Sequence, residues 1–253
     1  MAKLFFQLLL ALGLTVEIAH LSGCATPPKE KTLSISEQIN VDTTKAQALF
    51  SAFQKRAVFV KADDIEKYLT TMARKLAAVQ DGFEVKKVTI KIHRDDDVEM
   101  KRFFSFPGTT ISVPVSFLKT VDYENELAAA MAFELANVIN RHLAKKVDED
   151  AHPTLWGTGN VFDLDRPERV ESIDQGERLL YYAGYDLRGM PSFFRRYEPK
   201  FKVSTNLGSS SNQKEVDFNW KEAQRARSEY LPSSNPTVRS TDFIKMKKGT
   251  KHL

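Results

Sequence analysis

The stretch from about Glu124 to Lys146 constrains this chain more than any other. It reads as one helix, whose informative part is Glu124-Asn125-Glu126-Leu127-Ala128-Ala129-Ala130-Met131-Ala132-Phe133-Glu134-Leu135-Ala136-Asn137-Val138-Ile139-Asn140-Arg141-His142. Side chains four residues apart on a helix point to one side, so Phe133 and Asn137 share a face with Glu134 between them. His142 lies nine residues after Phe133, about half a revolution away on a continuous helix at about 100° per residue. It is therefore expected to point away from that face.

Helical spacing begins earlier, after Asp42-Thr43-Thr44, with Ala46, Leu49, Phe50 and Phe53 on one stripe. A second start signal, Asp63-Asp64, precedes Ile65, Tyr68, Leu69, Met72, Leu76 and Ala77 at helical spacing. Val85 to His93 switches to period two, which puts His93 on the solvated face of a half-buried strand. Asp95-Asp96-Asp97 reads as a turn, because consecutive carboxylates diverge and lack calcium-loop spacing. Arg102 to Val115 is extended, with Pro107-Gly108 as a bend. A helix follows from about Pro167 to Tyr182, ended at Gly184 by a left-handed cap, and Pro191 opens a short one. Residues 208–212 read as a loop, Val216 to Leu231 as the last helix, and the sequence beyond Pro232 carries little pattern.

The 253 residues suffice for one substantial domain. There are 37 Lys and Arg against 33 Asp and Glu, and the cations are dispersed rather than striped, which argues against nucleic acid. A mild attraction to anionic membrane surfaces is the more natural consequence of the charge. Met1-Ala2-Lys3 followed by the apolar run Leu4 to Val16 fits a signal peptide and is short for a bilayer span. It ends at Leu21-Ser22-Gly23-Cys24, which resembles a bacterial lipobox, so Cys24 is the expected lipidation site. As the chain's single cysteine it has no disulfide partner and cannot build a thiolate metal cluster. The expected organisation is a lipoprotein signal peptide over 1–23, a lipidated tether over 24–41, a folded domain over 42–240 and a basic tail over 241–253.

The Glu124–His142 stretch resembles the zinc-binding helix of the HtpX and CAAX prenyl protease family of metallopeptidases, closest to its periplasmic lipoprotein members, the BepA and LoiP type. That helix reads roughly E-L-A-A-V-L-A-H-E-I-A-H-V-x-x-R-H. Phe133 and Asn137 stand where its histidines stand, and Glu134 keeps the general-base position. In the family two imidazoles four residues apart chelate one zinc ion and the intervening carboxylate deprotonates its bound water; phenylalanine has no lone pair to offer, and an Asn amide oxygen is a hard, neutral, weak donor for zinc. Arg102-Phe103-Phe104-Ser105-Phe106-Pro107-Gly108-Thr109-Thr110-Ile111-Ser112-Val113 is similar to the family's N-A-F-A-x-P-G-G-x-I-x-V strand pair, with departures at Arg102 and Thr109. The resemblance makes Phe104, Pro107, Gly108 and Thr109 the cleft-lining strand, able to take an extended substrate. Glu171-Ser172-Ile173-Asp174-Gln175-Gly176 and Ala183-Gly184-Tyr185-Asp186 resemble E-x-E-A-D-x-x-G and A-G-Y-D-P, which puts the third ligand position at Arg169 or Val170. Ser234-Asn235-Pro236 with Arg239 looks like S-x-H-P and its following arginine, again without the histidine.

Composition and periodicity alone give mixed α and β. The resemblance, spanning about Asp64 to Arg239, implies an α+β, zincin-like metallopeptidase fold, mainly helical with a small sheet at the cleft edge. Zinc belongs to that family, but no cofactor is expected here, since Phe133, Asn137 and either Arg169 or Val170 cannot hold it. Glu134 is then vestigial, and no catalytic residue is expected. The expectation is an outer-membrane lipoprotein facing the periplasm, held through Cys24. It would be a pseudoenzyme binding envelope or outer-membrane proteins, or peptide segments of them, during assembly or quality control. One alternative is an active metalloendopeptidase with an unorthodox site from Glu134, Glu171 and His142; another is a purely structural envelope lipoprotein with its cleft closed by Phe133.

Overall fold

Local sequence signals set most element boundaries. The computed structural model describes residues 33–150, 152–156, 160–201 and 209–253. The expected signal peptide and Cys24 lie outside these. The chain enters through α1 (Ile35–Lys45), opened by a capping box in which Ser34 and Glu37 satisfy each other's backbone N–H groups. The expected tether therefore gives way to helix at Ile35, ahead of its supposed end at Val41. Next come α2 (Gln47–Arg56) and α3 (Asp63–Ala77). In α3, Asp63, Asp64 and Glu66 sit at the positive end of the helix dipole, and Arg74 and Lys75 at the negative end. Its buried stripe includes Ile65, Leu69, Met72 and Leu76, as the spacing requires.

Strands β1 (Thr89–His93), β2 (Phe104–Phe106) and β3 (Thr110–Pro114) form one sheet in the order β1-β3-β2. β1 runs parallel to β3 and β2 antiparallel, so β2 is an edge strand. The β2–β3 turn uses two residues of positive φ, Gly108 (90°) and Thr109 (69°). A Cβ on Gly108 would lie 2.7 Å from the Thr43 hydroxyl of α1, so the turn is also a close approach.

The expectation for His93 fails. Its side chain is fully buried, with Nε2 donating to the Met100 carbonyl (2.8 Å) and Nδ1 accepting from Ser112 Oγ (2.7 Å). Thr89 and Lys91 on the outer face of β1 are exposed, but its His93 end is covered by a satellite core in which Phe53 packs tilted against Phe104, and Phe162 meets Phe104 and Phe106 edge to face. Period two gave the right alternation, but both faces of the strand end are indoors.

After α4 (Val115–Thr120) comes α5 (Glu124–Ile139), the centre of the molecule. Every residue of α5 except Glu134, Asn137 and Ile139 is buried. It packs against α3 and β2, and against α7 (Arg166–Tyr182) and α8 (Gly189–Arg196), which follow α6 (His142–Glu149). Its alanines permit close approach. A Cβ on Gly176 of α7 would come within 3.5 Å of the Phe133 backbone nitrogen, and one on Gly189 within 2.2 Å of the Asn125 carbonyl oxygen. At its N-terminus Glu126 accepts hydrogen bonds from Arg196 Nη1 (2.6 Å) and the Tyr197 hydroxyl (2.9 Å), which ties α8 to α5.

The expected single helix to Lys146 is broken. Arg141 adopts a left-handed conformation (φ 62°), which ends α5 and turns the chain into α6. An unfavourable backbone for a non-glycine residue is held there by two hydrogen bonds from the Arg141 guanidinium to the Asp42 carboxylate, 2.7 and 2.9 Å. Helix α7 opens on an Asp165–Glu168 capping box with Pro167 in its first turn and ends before Gly184 (φ 77°). The last helices are α9 (Glu198–Phe201), α10 (Ser209–Ser228) and α11 (Thr241–Gly249). Two expectations change here: helix begins at Ser209 inside the supposed loop, and the supposed basic tail contains α11. Phe243 and Met246 bury one side of α11, and Lys247 donates to the Leu118 and Lys119 carbonyls. Residues Ser34–Leu253 form one compact unit, mainly helical with a three-stranded sheet.

Candidate functional site

The exposed notch in α5 faces a cavity of about 270 Å³, whose lining includes Phe133, Glu134 and Asn137 together with Arg169, Arg102 and Ser105. The i, i+4 geometry explains the first three. Phe133 is 7% exposed and meets the Phe194 ring of α8 edge on, 5.3 Å between centroids. Its ring thus fills the position of the first expected ligand.

Glu134 accepts a hydrogen bond from Asn137 Nδ2 (3.2 Å) and another from Ser105. Burial pushes its carboxyl above the ordinary range. Ser105, the charge of Arg102, Asn137 and the charge of Arg169 each pull it back part of the way. The other end of the Asn137 amide is engaged as well, with Oδ1 accepting from Ser172 Oγ at 2.6 Å.

The two candidates for the third position face differently. Arg169 lines the cavity, whereas Val170 does not. The Arg169 guanidinium donates to the Leu164 carbonyl (3.2 Å) and pairs with Glu198 (3.2 Å) and Glu215 (2.8 Å). A ring, a doubly engaged amide and a guanidinium do not fit a zinc ion. Among the described residues, no group of three or more His, Cys, Asp or Glu side chains is placed to hold a metal.

His142 needs a correction. The left-handed corner at Arg141 swings it out of the register of α5 and into the cavity lining. Its side chain is 1% exposed, with Nδ1 3.9 Å from Glu168 Oε1 and Nε2 3.8 Å from Glu171 Oε2. Neither nitrogen has a hydrogen-bond partner, and burial lowers its pKa against the pull of the two carboxylates. The two nitrogens face different carboxylates, so the ring and its neighbours do not converge on one point.

The expected cleft-lining residues also change. Alternation along β2 turns Phe103 and Ser105 toward the cavity and sends Phe104 into the satellite core with Phe53. Pro107, Gly108 and Thr109 make the turn against α1 instead. Asn235 does not line the cavity, and Arg239 donates to the Asp122 carbonyl. The sequence reading missed Trp156, Phe162, Phe193 and Glu198, all of which line the cavity. Trp156 and Phe162 come from a segment without periodicity. The Phe193-Phe194 pair was the only available signal, and it reads as ordinary core.

No protein-family model matches the chain. Over 171 residues it is 23% identical to a protein of Vibrio cholerae serotype O1 named "Putative beta-barrel assembly-enhancing protease". The match covers 56% of this chain and 34% of that relative, so the chain corresponds to about a third of the relative's length. It is a distant likeness to a protease of that description.

Proposed function

We propose that this chain is a lipid-anchored envelope protein whose metallopeptidase-like domain binds segments of other proteins without cutting them. The observation that supports this is the cavity on α5, which Phe133, Asn137 and Arg169 line together; on the resemblance, these are the residues that would stand in place of zinc ligands. β2 is the edge strand of the sheet, and Ser105 within it and Phe103 just before it belong to the lining. An extended segment added along such an edge would place its alternate side chains toward the cavity. The likeness to an assembly-enhancing protease points to envelope or outer-membrane proteins as partners. Attachment at the outer membrane through Cys24, facing the periplasm, belongs to the same proposal, as does the zincin-like ancestry of the fold.

The second reading, a working peptidase with an unorthodox site, draws on His142 and Glu134 lining one cavity. Elemental analysis of the purified domain, combined with casein cleavage with and without chelator, separates the two. Far less than one zinc per chain and no chelator-sensitive cleavage is the expected result. Stoichiometric zinc that disappears on His142→Ala or Glu134→Gln would sink the non-catalytic reading.

A further inference from the structure

The charges around the cavity do not balance. Its lining carries the carboxylates of Glu99, Glu134, Asp163, Glu198 and Glu215 against the guanidiniums of Arg102 and Arg169. Arg102 is paired with Asp163 (3.0 Å) and Arg169 with both Glu198 and Glu215, while Glu99 pairs outward with Arg56. Glu134 is left as the lining carboxylate that makes no ion pair among the described residues. Its direct partners are the neutral donors Asn137 and Ser105. In the same lining, His142 presents a buried imidazole with neither nitrogen hydrogen-bonded, an orphaned polar group of the kind that a bound donor satisfies.

Much of the rest of the lining is aromatic. Phe103, Phe133, Trp156, Phe162, Phe193 and Phe194 all line the cavity. Ring faces attract ammonium and guanidinium groups, most strongly where water is excluded. Carboxylates and aromatic rings in one lining select a cation carried on an apolar stem, and about 270 Å³ is below the usual span for a drug-sized ligand and suits a side chain.

We propose that the cavity receives a lysine or arginine side chain of a bound polypeptide, with Glu134 as its counter-charge. This rests on the protein-binding reading above and adds the chemical class of the segment bound. Lysine and arginine stems would lie along the phenylalanine rings, and the cationic head would reach Glu134 and the free nitrogen of neutral His142. A glutamate at the same place would face Glu134 and the surplus carboxylates.

The test uses fluorescently labelled host peptides of identical flanks carrying lysine, arginine, norleucine or glutamate at the central position. Binding to the domain is followed by anisotropy. The expected result is about tenfold tighter binding of lysine and arginine than of norleucine, the size of one buried cation–π and charge contact. Glutamate binds weakest. Glu134→Gln should bring lysine to within about twofold of norleucine while leaving norleucine unchanged, and a preserved melting temperature shows that the variant is folded. Binding of all four peptides alike would overturn the cation inference and leave the protein-binding reading standing. Binding of none would overturn both. Displacement of the lysine peptide by n-butylamine at matching concentration would show that the cavity takes free amines, which would overturn its assignment to polypeptide side chains.

Discussion

Replacing Arg169 with methionine removes the cation that pairs with both Glu198 and Glu215 while keeping much of the volume. The Arg169 side chain is 10% exposed and that of Glu198 9%, whereas Glu215 at 33% can turn toward water. Removing one partner of a buried pair costs about 3–5 kcal/mol, because the remaining charge is stranded. The two hydrogen bonds from Asn219 Nδ2 to the Glu198 carboxylate, 2.9 and 2.8 Å, soften that loss. A destabilisation of about 3 kcal/mol is expected, the lower end of that range. With a urea slope of about 3 kcal/mol per molar, the unfolding midpoint falls by about 1 M. The stranded charge accounts for the loss, so Arg169→Met combined with Glu198→Gln should recover at least about 1 kcal/mol relative to the sum of the single variants. Urea unfolding followed by circular dichroism on the four proteins completes the cycle. Additivity within about 0.5 kcal/mol would refute the claim that Arg169 serves as the internal counter-ion of this cavity.

Three further outcomes are expected. Gly189→Ala puts a Cβ 2.2 Å from the Asn125 carbonyl, so α8 must shift from α5, and thermal unfolding should register a loss of about 1–3 kcal/mol. Glu177 is fully buried, neither carboxylate oxygen has a hydrogen-bond partner, and burial raises its pKa well above the ordinary value. The folded state holds that proton where the unfolded state has released it, so this group's contribution to stability is intact below the ordinary carboxylate pKa and lost as pH rises toward the raised one. Glu177→Gln should flatten that decline in a pH series of melting temperatures and gain on the order of 1 kcal/mol at pH 7; an unchanged pH slope would contradict it. From the proposed anchor, Cys24→Ala should abolish incorporation of labelled fatty acid in bacterial cells, and undiminished labelling would exclude lipidation at that residue.

The sequence was most legible where local chemistry acts alone. Asp63-Asp64 ahead of a 3.6-residue stripe yields α3, and Gly184 marks the end of α7 because its left-handed φ suits glycine. Phe133, Glu134 and Asn137 share a face by helical arithmetic, and no tertiary contact was needed to see that. What could not be read depended on partners distant in sequence. The corner at Arg141 carries no glycine or proline and is held by Asp42, so the position of His142 was misjudged with it. His93 looked solvated because nothing local announces that Phe53 and Phe104 cover the strand's other face. Which of Arg169 and Val170 faces the cavity depended on helix phase, whereas the helix onsets at Ile35 and Thr241 do carry local caps, Ser34 with Glu37 and Ser240, that the apolar pattern alone did not bring out.

The clamp between Arg141 and Asp42 joins residues 99 positions apart in the chain. Closing a loop of that length costs on the order of 4 kcal/mol in chain entropy at (3/2)RT ln n. The corner that points His142 into the cavity therefore gains its support only after most of the intervening domain has condensed. In kinetic terms it belongs among the late contacts, whose loss accelerates unfolding more than it slows folding. The lining around His142 thus depends on a contact between two segments far apart in the chain.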